Sequence, residues 1–366
     1  MRVAVVGGSP IGRRVARDLA ERPGVDQVVI AGIRAEGSPP AVSGKVRIES
    51  QAPTQLAEVL RECDAALGCF DGDASAELGA VREAITAGAT YVSDCSNPDV
   101  LEEILLRDGE ARAAGARIVA GLSISPGISS LLAAAAAARL AEVRSVRIAW
   151  KVELAGADSE PAWNAAARSL MGYAPAFEAG AWHREPAGGA EEEVFLPDPL
   201  GWQRVRRARG AEILTLPKHL PALERVTVKG RLGEGVADRV VAATARRGDP
   251  TPGTIDGAVR VARMLAQRLR TPAPARWSAL RVDVAGPGED GTARDASFAV
   301  LDQLTNLASA PLVAGALLAG SGEITATGCL PPEASIPPRG FFALLAELGV
   351  RVATLERTGA APRPAA

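Results

Sequence analysis

The sequence predicts an α/β protein: a doubly wound parallel sheet joined to a second α+β domain with a mostly antiparallel sheet. Three observations lead to this prediction. Short apolar runs alternate with helical patterns over the first 120 residues, the order expected of βαβ units. The first run ends in a glycine-rich turn. After residue 143 the apolar pattern changes to a period of two, which is typical of antiparallel strands with one exposed face.

The chain opens with a predicted strand, a glycine turn and a helix. Arg2 to Val6 is a β-branched apolar run, and helical spacing follows up to Glu21. Between them, Gly-x-Ser-x-x-Gly matches the dinucleotide-binding fingerprint of a Rossmann domain, with serine in place of the middle glycine. Free N–H groups at the start of the helix favour a phosphate there. The predicted cofactor-binding turn consists of Gly7, Ser9, Pro10, Ile11 and Gly12.

The end of the second strand predicts which nicotinamide cofactor binds. Gln27 to Gly32 is the next apolar run, and an acidic residue that binds the ribose of NAD normally stands at its end. Here Gly32 occupies that place and Arg34 follows. Because a guanidinium can pair with the 2′-phosphate, we favour NADP, with NAD as the alternative. The competing interpretation is that Arg34 is a solvated surface residue.

Three further strands and their helices complete the predicted parallel sheet. We expect the strands at 64–70, 90–92 and 117–121, and the helices at 56–63, 78–87 and 99–114. Phe70 and Asp71 end one strand and Asn97 follows the next, so all three are predicted in the crevice at the carboxyl ends of the strands. Asp99 and Ser125 are predicted to cap the helices that follow them.

The second domain is predicted from shorter patterns. Period-two strands are expected at 146–154, 193–196, 213–216 and 224–229, and a hairpin at 278–285 and 292–301. Helices are expected at 128–140, 253–269, 305–318 and 340–348, and the tail after Gly359 is predicted to be disordered.

Composition limits the class of function. A formal net charge of −2 gives no bulk attraction to nucleic acid or to an anionic membrane. No segment offers eighteen uninterrupted apolar residues, so no membrane span is predicted. The four cysteines form no CxxC pair, which favours a reduced, cytoplasmic protein.

Apart from its carboxylates and thiols, few side chains of this sequence can transfer a proton. It has two histidines, four lysines and two tyrosines, and arginine stays charged. The adjacent Lys218 and His219, expected just after the strand 213–216, are the leading catalytic candidates. Lys151, inside an apolar strand, is the second candidate; its alternative is a place on the exposed face of that strand. With two histidines 36 positions apart, no histidine metal site is predicted.

Four segments, taken together in order, resemble the saccharopine dehydrogenase-like family of NAD(P)-dependent oxidoreductases. They are Gly7–Arg13, Ala87–Val92, Gly121–Ala133 with its Pro126-Gly127 turn, and the stretch from Gly328 to Gly349. The resemblance implies hydride transfer to or from an imine or carbonyl of a small amino- or keto-acid-like substrate. Ser125 stands where saccharopine-forming relatives have aspartate, which argues against saccharopine itself as the substrate.

The resemblance also implies how the chain is divided. Residues 1–123 would form the Rossmann domain, completed by the C-terminal helices of 305–355. Residues 124–304 would form the substrate domain, through which members of the family often dimerise, and 356–366 would be a tail. A homodimer is therefore expected.

Two other functions stay open from the sequence. One is a nucleotide-binding protein without catalysis, acting as a sensor or partner subunit, which the altered fingerprint and the few acid–base groups favour. The other is an NADPH-dependent, enoyl-type reductase of an activated carbon–carbon double bond.

Overall fold

The computed structural model describes residues 1–32, 44–49, 56–70, 72–154, 160–233, 235–246, 250–268 and 276–355. Within these ranges the chain forms one seven-stranded and one nine-stranded sheet, with helices packed against both. This confirms the predicted two-sheet α/β fold class. The predicted tail after Gly359 lies outside the described residues.

The strands and helices alternate along the chain as follows. The strands are β1 (Arg2–Val6), β2 (Gln27–Ala31), β3 (Val46–Glu49), β4 (Ala65–Gly68), β5 (Thr90–Ser93), β6 (Arg117–Val119), β7 (Ser145–Val152), β8 (Tyr173–Glu178), β9 (Ala181–Pro186), β10 (Glu192–Leu196), β11 (Gly201–Arg207), β12 (Arg225–Leu232), β13 (Trp277–Pro287), β14 (Ala293–Gln303), β15 (Gly328–Leu330) and β16 (Val352–Leu355). The helices are α1 (Pro10–Ala20), α2 (Leu56–Arg61), α3 (Ala74–Ala87), α4 (Pro98–Leu105), α5 (Asp108–Ala114), α6 (Ile128–Ala137), α7 (Glu160–Ser169), α8 (Glu212–His219), α9 (Val236–Ala245), α10 (Pro252–Arg268), α11 (Leu304–Gly320), α12 (Pro332–Ser335) and α13 (Pro338–Glu347).

The first sheet is parallel throughout, in the order β15-β6-β5-β4-β1-β2-β3. Its central strands β1 and β4 are buried along almost their whole length, as expected of a sheet covered on both faces. The sequence analysis did not predict β3 or β15. Each is four residues long or shorter, too short for a period to be recognised.

Two predicted helix caps were wrong. Asn97, not Asp99, caps α4, with its side-chain oxygen accepting the Asp99 N–H at 3.1 Å. Gly127 stands at the N-cap of α6, and the Ser125 hydroxyl instead donates to a glutamate. The predicted helix 99–114 is two helices, α4 and α5, with a break at residues 106–107.

The predicted strand 213–216 was also wrong, because this segment belongs to α8. Ile213 and Leu216 are buried and stand three positions apart, so they lie on one face of a helix. Four residues are too few to separate a period of two from a period of 3.6.

The second sheet has the order β10-β11-β12-β7-β13-β14-β16, and β8 and β9 branch from β12. Its described pairs are antiparallel except for β12 and β7. The predicted hairpin is present as β13 and β14, which pair from Trp277–Gln303 to Pro287–Ala293.

The C-terminal part of the chain joins both sheets. Helix α11 packs against α1 and against strands of the first sheet, and β15 extends that sheet next to β6. Strand β16 instead pairs with β14 in the second sheet. Residues 305–355 therefore contribute to more than the nucleotide-binding sheet, and the predicted division into domains stays a prediction. Among the described helices, none has the length and apolar character needed to cross a bilayer.

Candidate functional site

The crevice at the carboxyl ends of β1 and β4 is where the order of the first sheet reverses. β2 and β3 lie on one side of β1, and β4, β5, β6 and β15 lie on the other. In open α/β sheets a ligand binds at such a switch point, because the loops on either side leave in opposite directions.

The turn from β1 to α1 fits tightly against the end of β4. Gly7 has a φ of +105°, and a Cβ built on it would lie 2.3 Å from the Cys69 carbonyl oxygen. The same Cβ would lie 3.1 Å from a ring carbon of Phe70. A Cβ on Gly12 would meet that of Cys69 at 2.9 Å. Both positions therefore need glycine because neighbouring atoms leave no room for a Cβ. At Gly7 the positive φ is a second reason.

The start of α1 has the features of an anion site. Ser9 is the N-cap and its hydroxyl accepts the Gly12 N–H at 3.0 Å, while Pro10 occupies the first turn. In this helix, which the structure describes in full, the first turn carries no acidic residue. The Arg13 guanidinium lies beside the turn and donates to the Gly8 carbonyl at 2.7 Å. A pyrophosphate would meet free N–H groups and a positive charge here, so the residues fit a nicotinamide dinucleotide.

The other predicted cofactor residues have different outcomes. Ile11, at the start of α1, and Phe70, beside Gly7, are both half-buried. Asn97 lies at the end of the β5 loop, where its side-chain oxygen caps α4. Arg34 and Asp71 lie outside the described residues.

The loops that follow β5 and β6 pack against each other at the same end of the sheet. The Leu122 N–H donates to the Ser93 carbonyl at 2.7 Å. A Cβ on Gly121 would lie 2.8 Å from the Cys95 carbonyl oxygen and 3.0 Å from the Pro126 ring. Burial raises the pKa of the Cys95 thiol, so it stays protonated and packs as an apolar group.

A buried carboxyl lies beside Gly68, at the end of β4. Glu77 on α3 is 2% exposed, and the Tyr91 hydroxyl donates to its Oε1 at 3.2 Å. Burial raises the pKa of Glu77 to about 7, against the smaller effects of Ser93 and Tyr91 hydrogen bonds.

The start of α8 reaches the crevice from the second sheet. Arg209 forms an ion pair at 2.6 Å with Asp99 in the first turn of α4, and Ala211 belongs to the apolar cluster that contains Cys95. Glu212 is completely buried, and the hydroxyls of Ser125 and Ser129 both donate to its Oε1.

A second buried carboxyl, that of Glu333 on α12, joins this group. Burial raises the pKa of Glu333 and of Glu212, and the Glu333 carboxyl raises that of Glu212 further. Within the described ranges, no group of three or more His, Cys, Asp or Glu side chains is placed to hold a metal ion.

The sequence analysis missed both acids. Glu333 stands in the Gly328–Glu333 stretch that supported the family resemblance, which was the available signal. Glu212 precedes a segment wrongly predicted as a strand, and nothing in its neighbours marks it.

The predicted acid–base residues lie elsewhere. Lys218 and His219 are exposed in the last turn of α8, at the opposite end of that helix from Glu212. Partial burial lowers the pKa of His219. Lys151 is completely buried rather than on an exposed strand face, and its Nζ donates to the Trp277 carbonyl at 3.1 Å and lies 3.8 Å from Glu153 Oε2. Their role in catalysis stays a prediction.

No sequence profile of a known protein family matches the chain. Among solved structures, it is similar to apo, histidine-tagged saccharopine dehydrogenase (L-Glu forming) from Saccharomyces cerevisiae. That match has a TM-score of 0.66 and 13% identity, and it covers 97% of this chain and 100% of the yeast chain. It is also similar to a substituted meso-dapdh from Clostridium tetani E88 crystallised with DAP. The TM-score there is 0.50 and the identity is 15%, with 93% of this chain and 95% of the other covered.

These similarities confirm, at the level of the fold, the resemblance seen in the sequence. The match to the yeast enzyme extends over almost the whole of both chains. The similarity of fold therefore includes the middle of the chain, where none of the four resembling segments lies.

Proposed function

We propose that the chain is an NAD(P)-dependent oxidoreductase that transfers hydride to or from an imine or carbonyl carbon of a small amino- or keto-acid-like substrate. The observation that carries the proposal is the Gly7 turn, held against Cys69 at the switch point of the parallel sheet. The shared fold with a saccharopine dehydrogenase supports the reaction class.

We propose that NADP is preferred over NAD. β2 ends at Ala31, and the next residue, Gly32, has a φ of +74° and no side chain to repel a 2′-phosphate. Arg34 follows two positions later in the sequence and is the candidate for binding that phosphate. Arg34→Asp is expected to move the ratio of NADPH to NADH affinity by about 10-fold or more toward NADH. Unchanged relative affinities in calorimetry would refute the assignment of Arg34.

The function is tested by the oxidation of NADPH against two panels. The first contains α-keto acids with and without amines, and the second contains enoyl thioesters. Turnover in the first panel is expected. Turnover in the second panel alone would replace the proposal by the enoyl-type reductase. Gly7→Ala, which removes the nucleotide site, is the control for contaminating activity.

A non-catalytic role is the second candidate function. It is favoured by two observations. Lys218 and His219 lie at the end of α8 opposite Glu212, and the Lys151 Nζ donates to the Trp277 carbonyl inside the second sheet. NADPH binding in calorimetry with turnover in neither panel would support a sensor or partner subunit.

We propose that residues 1–123, completed by helices from 305–355, form the nucleotide domain and 124–304 the substrate domain of a cytoplasmic homodimer. Two tryptophans of the second sheet, Trp182 and Trp202, are 51% and 41% exposed, which supports an interface there. Sedimentation velocity is expected to give the mass of two chains. A single-chain mass at micromolar concentration would contradict the dimer.

A further inference from the structure

We propose that a cavity on the outer face of the second sheet, the face that carries Arg147, Thr227 and Lys229, binds a small dicarboxylate. The cavity has a volume of about 340 Å³, within the range of about 300–1,000 Å³ that is typical of small-molecule sites. The proposal does not rest on the proposed function, because it follows from the shape and the charges of this sheet alone.

The cavity lies at a gap in the strand pairing along β12. β8 pairs with residues 225–226 of β12 and β11 pairs with residues 229–230, so Thr227 lies between the two strands. If the register of β8 continued, Pro175 would stand opposite Val228, but proline has no N–H to donate to a neighbouring strand. The pairing therefore stops, and Pro175 and Thr227 both line the opening.

The period of the strands directs charged side chains to this face. On β12, Arg225, Thr227 and Lys229 alternate with two valines of the hydrophobic core, so they point away from that core. Arg147 on β7 is paired with Thr227, and Arg207 on β11 is paired with Lys229, so both share the same face. The cations of the cavity therefore come from three neighbouring strands.

The positive charges around the cavity outnumber the negative ones. Among the residues that the structure describes, the cations that line the cavity are Arg147, Arg207, Arg225 and Lys229, and the carboxylates paired with them are Glu178, Glu185 and Glu192. The Glu192 carboxylate lies 2.7 Å from Lys229 Nζ and 3.2 Å from Arg147 Nη2. One carboxylate thus serves two cations, and a bound anion would complete the pairing of the second.

Two features keep these charges available to a ligand. Burial acts to raise the pKa of Glu192, but Lys229 and Arg147 lower it below its ordinary value, so the carboxylate stays ionised and both cations stay charged. The Nε of Arg225 lies 3.8 Å from Glu178 Oε1, and both side chains are exposed. At that distance the pair contributes little, so Arg225 can turn to a ligand without the loss of a strong partner.

The cations form two groups at opposite ends of the cavity. Arg225 and Arg147 are diagonal neighbours at one end, and Lys229 and Arg207 stand opposite each other at the other end. The four positions from 225 to 229 span about 13 Å of strand. A guanidinium matches a carboxylate in a two-pronged contact. The spacing therefore favours a molecule with a carboxylate at each end over a single phosphate, which carries its charge on one centre.

Calorimetry with glutarate tests the class of ligand. Glutarate should bind at least about 10-fold more tightly than valerate, which has the same chain length and one carboxylate, and than inorganic phosphate. Its affinity should fall as salt is added. Equal affinities for the three compounds would overturn a site with two charged ends.

Two substitutions test the location of the site. Arg147→Gln and Lys229→Gln are each expected to weaken glutarate binding by about 10-fold, because each removes a cation from one end of the cavity. Arg204→Gln is the matched control, because Arg204 is an exposed cation of β11 outside the cavity, and it should leave the affinity unchanged. Unchanged affinity in the first two variants would place glutarate elsewhere and overturn the site.

Glu192→Gln separates a ligand site from an ion-pair network that only stabilises the sheet. It frees two cations and removes a negative charge from the cavity, so glutarate should bind about 10-fold more tightly. Glu193→Gln, in an exposed neighbour that pairs with Arg204 outside the cavity, should leave the affinity unchanged. An affinity for glutarate that stays the same or falls in Glu192→Gln would overturn the proposal.

Two further conditions separate this site from an interface and from the nucleotide site. Glutarate binding that weakens as the protein concentration rises would mean that an acidic side chain of a second copy fills the cavity, and would overturn the small-molecule site. Glutarate affinity that follows these expectations in a protein that binds no NADPH would refute the proposed function and still support this site.

Discussion

The glycine turn after β1 and the acid group around Glu212 lie at the same end of the molecule but work by different physics. The turn is six consecutive residues whose function comes from backbone N–H groups and from the absence of side chains. The acid group joins side chains from α6, α8 and α12, and its function comes from burial of ionisable groups. The turn contains no ionisable side chain, so its electric field does not change with pH, whereas the carboxyls of the acid group can gain or lose protons as pH changes.

This difference separates the ways in which each region can fail. A substitution in the turn acts through steric overlap and should affect nucleotide affinity at all pH values. A substitution in the acid group should leave nucleotide affinity unchanged and alter the pH dependence of stability. The two regions are therefore distinguishable in solution, and the following predictions test or sharpen that distinction.

The largest effect is expected from Gly7→Ala. Its Cβ would overlap the Cys69 carbonyl oxygen at 2.3 Å, so the turn or the end of β4 must move. Nucleotide affinity should fall by about 100-fold or more, and the free energy of unfolding by several kcal/mol. Isothermal calorimetry and urea unfolding measure the two effects.

The control for this substitution is Gly24→Ala. Gly24 has a similar φ of +81°, but nothing lies within 4 Å of the Cβ that would be added. It should cost only the backbone strain, about 1–2 kcal/mol, with nucleotide affinity unchanged. Similar losses of affinity in both variants would show that strain alone, and not the contact with Cys69, explains Gly7.

An intermediate effect is expected from Glu77→Gln, which replaces a buried, hydrogen-bonded acid and should change how stability depends on pH. Its pKa in the folded protein is raised from 4.5 to about 7, so the folded state keeps a proton that the unfolded state loses between these values. Stability should therefore fall as pH rises from about 4.5 to 7, by up to about 3 kcal/mol. In Glu77→Gln the part of this fall that Glu77 contributes should disappear, which leaves the part from Glu212 and Glu333, whose pKa values burial also raises.

Urea unfolding at a series of pH values measures this dependence. The exposed Glu102→Gln should retain the slope of the unsubstituted protein. A slope as steep in Glu77→Gln as in the unsubstituted protein would assign the pH dependence to other groups, with Glu212 and Glu333 as the first to examine.

The smallest effect on stability is expected from breaking the ion pair that joins α4 to the segment before α8. Arg209 lies 2.6 Å from Asp99, which is 69% exposed, so Arg209→Ala should cost no more than about 1 kcal/mol, and less at high salt. Arg294→Ala, which breaks an exposed pair within one hairpin, is the matched control. A loss of several kcal/mol for Arg209 alone would show that this contact holds the second sheet to the crevice.

The sequence predicted the glycine turn but not the acid group around Glu212. The Gly7 turn, α1 and the central strands could be predicted because their signals lie within about twenty consecutive residues. Glu212, Ser129 and Glu333 could not be brought together, because 83 positions separate the first two and the third comes much later in the chain. Lys218 and His219 were selected for residue type alone, without the helix that places them at the opposite end from Glu212.

The position of β15 in the first sheet has a consequence for biosynthesis. β6 ends at Val119 and pairs on one side with β5. Its neighbour on the other side, β15, is completed only at Leu330. While the ribosome makes the second sheet, β6 presents a row of unpaired backbone groups to whatever chain is near. β15 can dock only after residue 330 has been made, and pairings between strands so distant in the sequence form slowly.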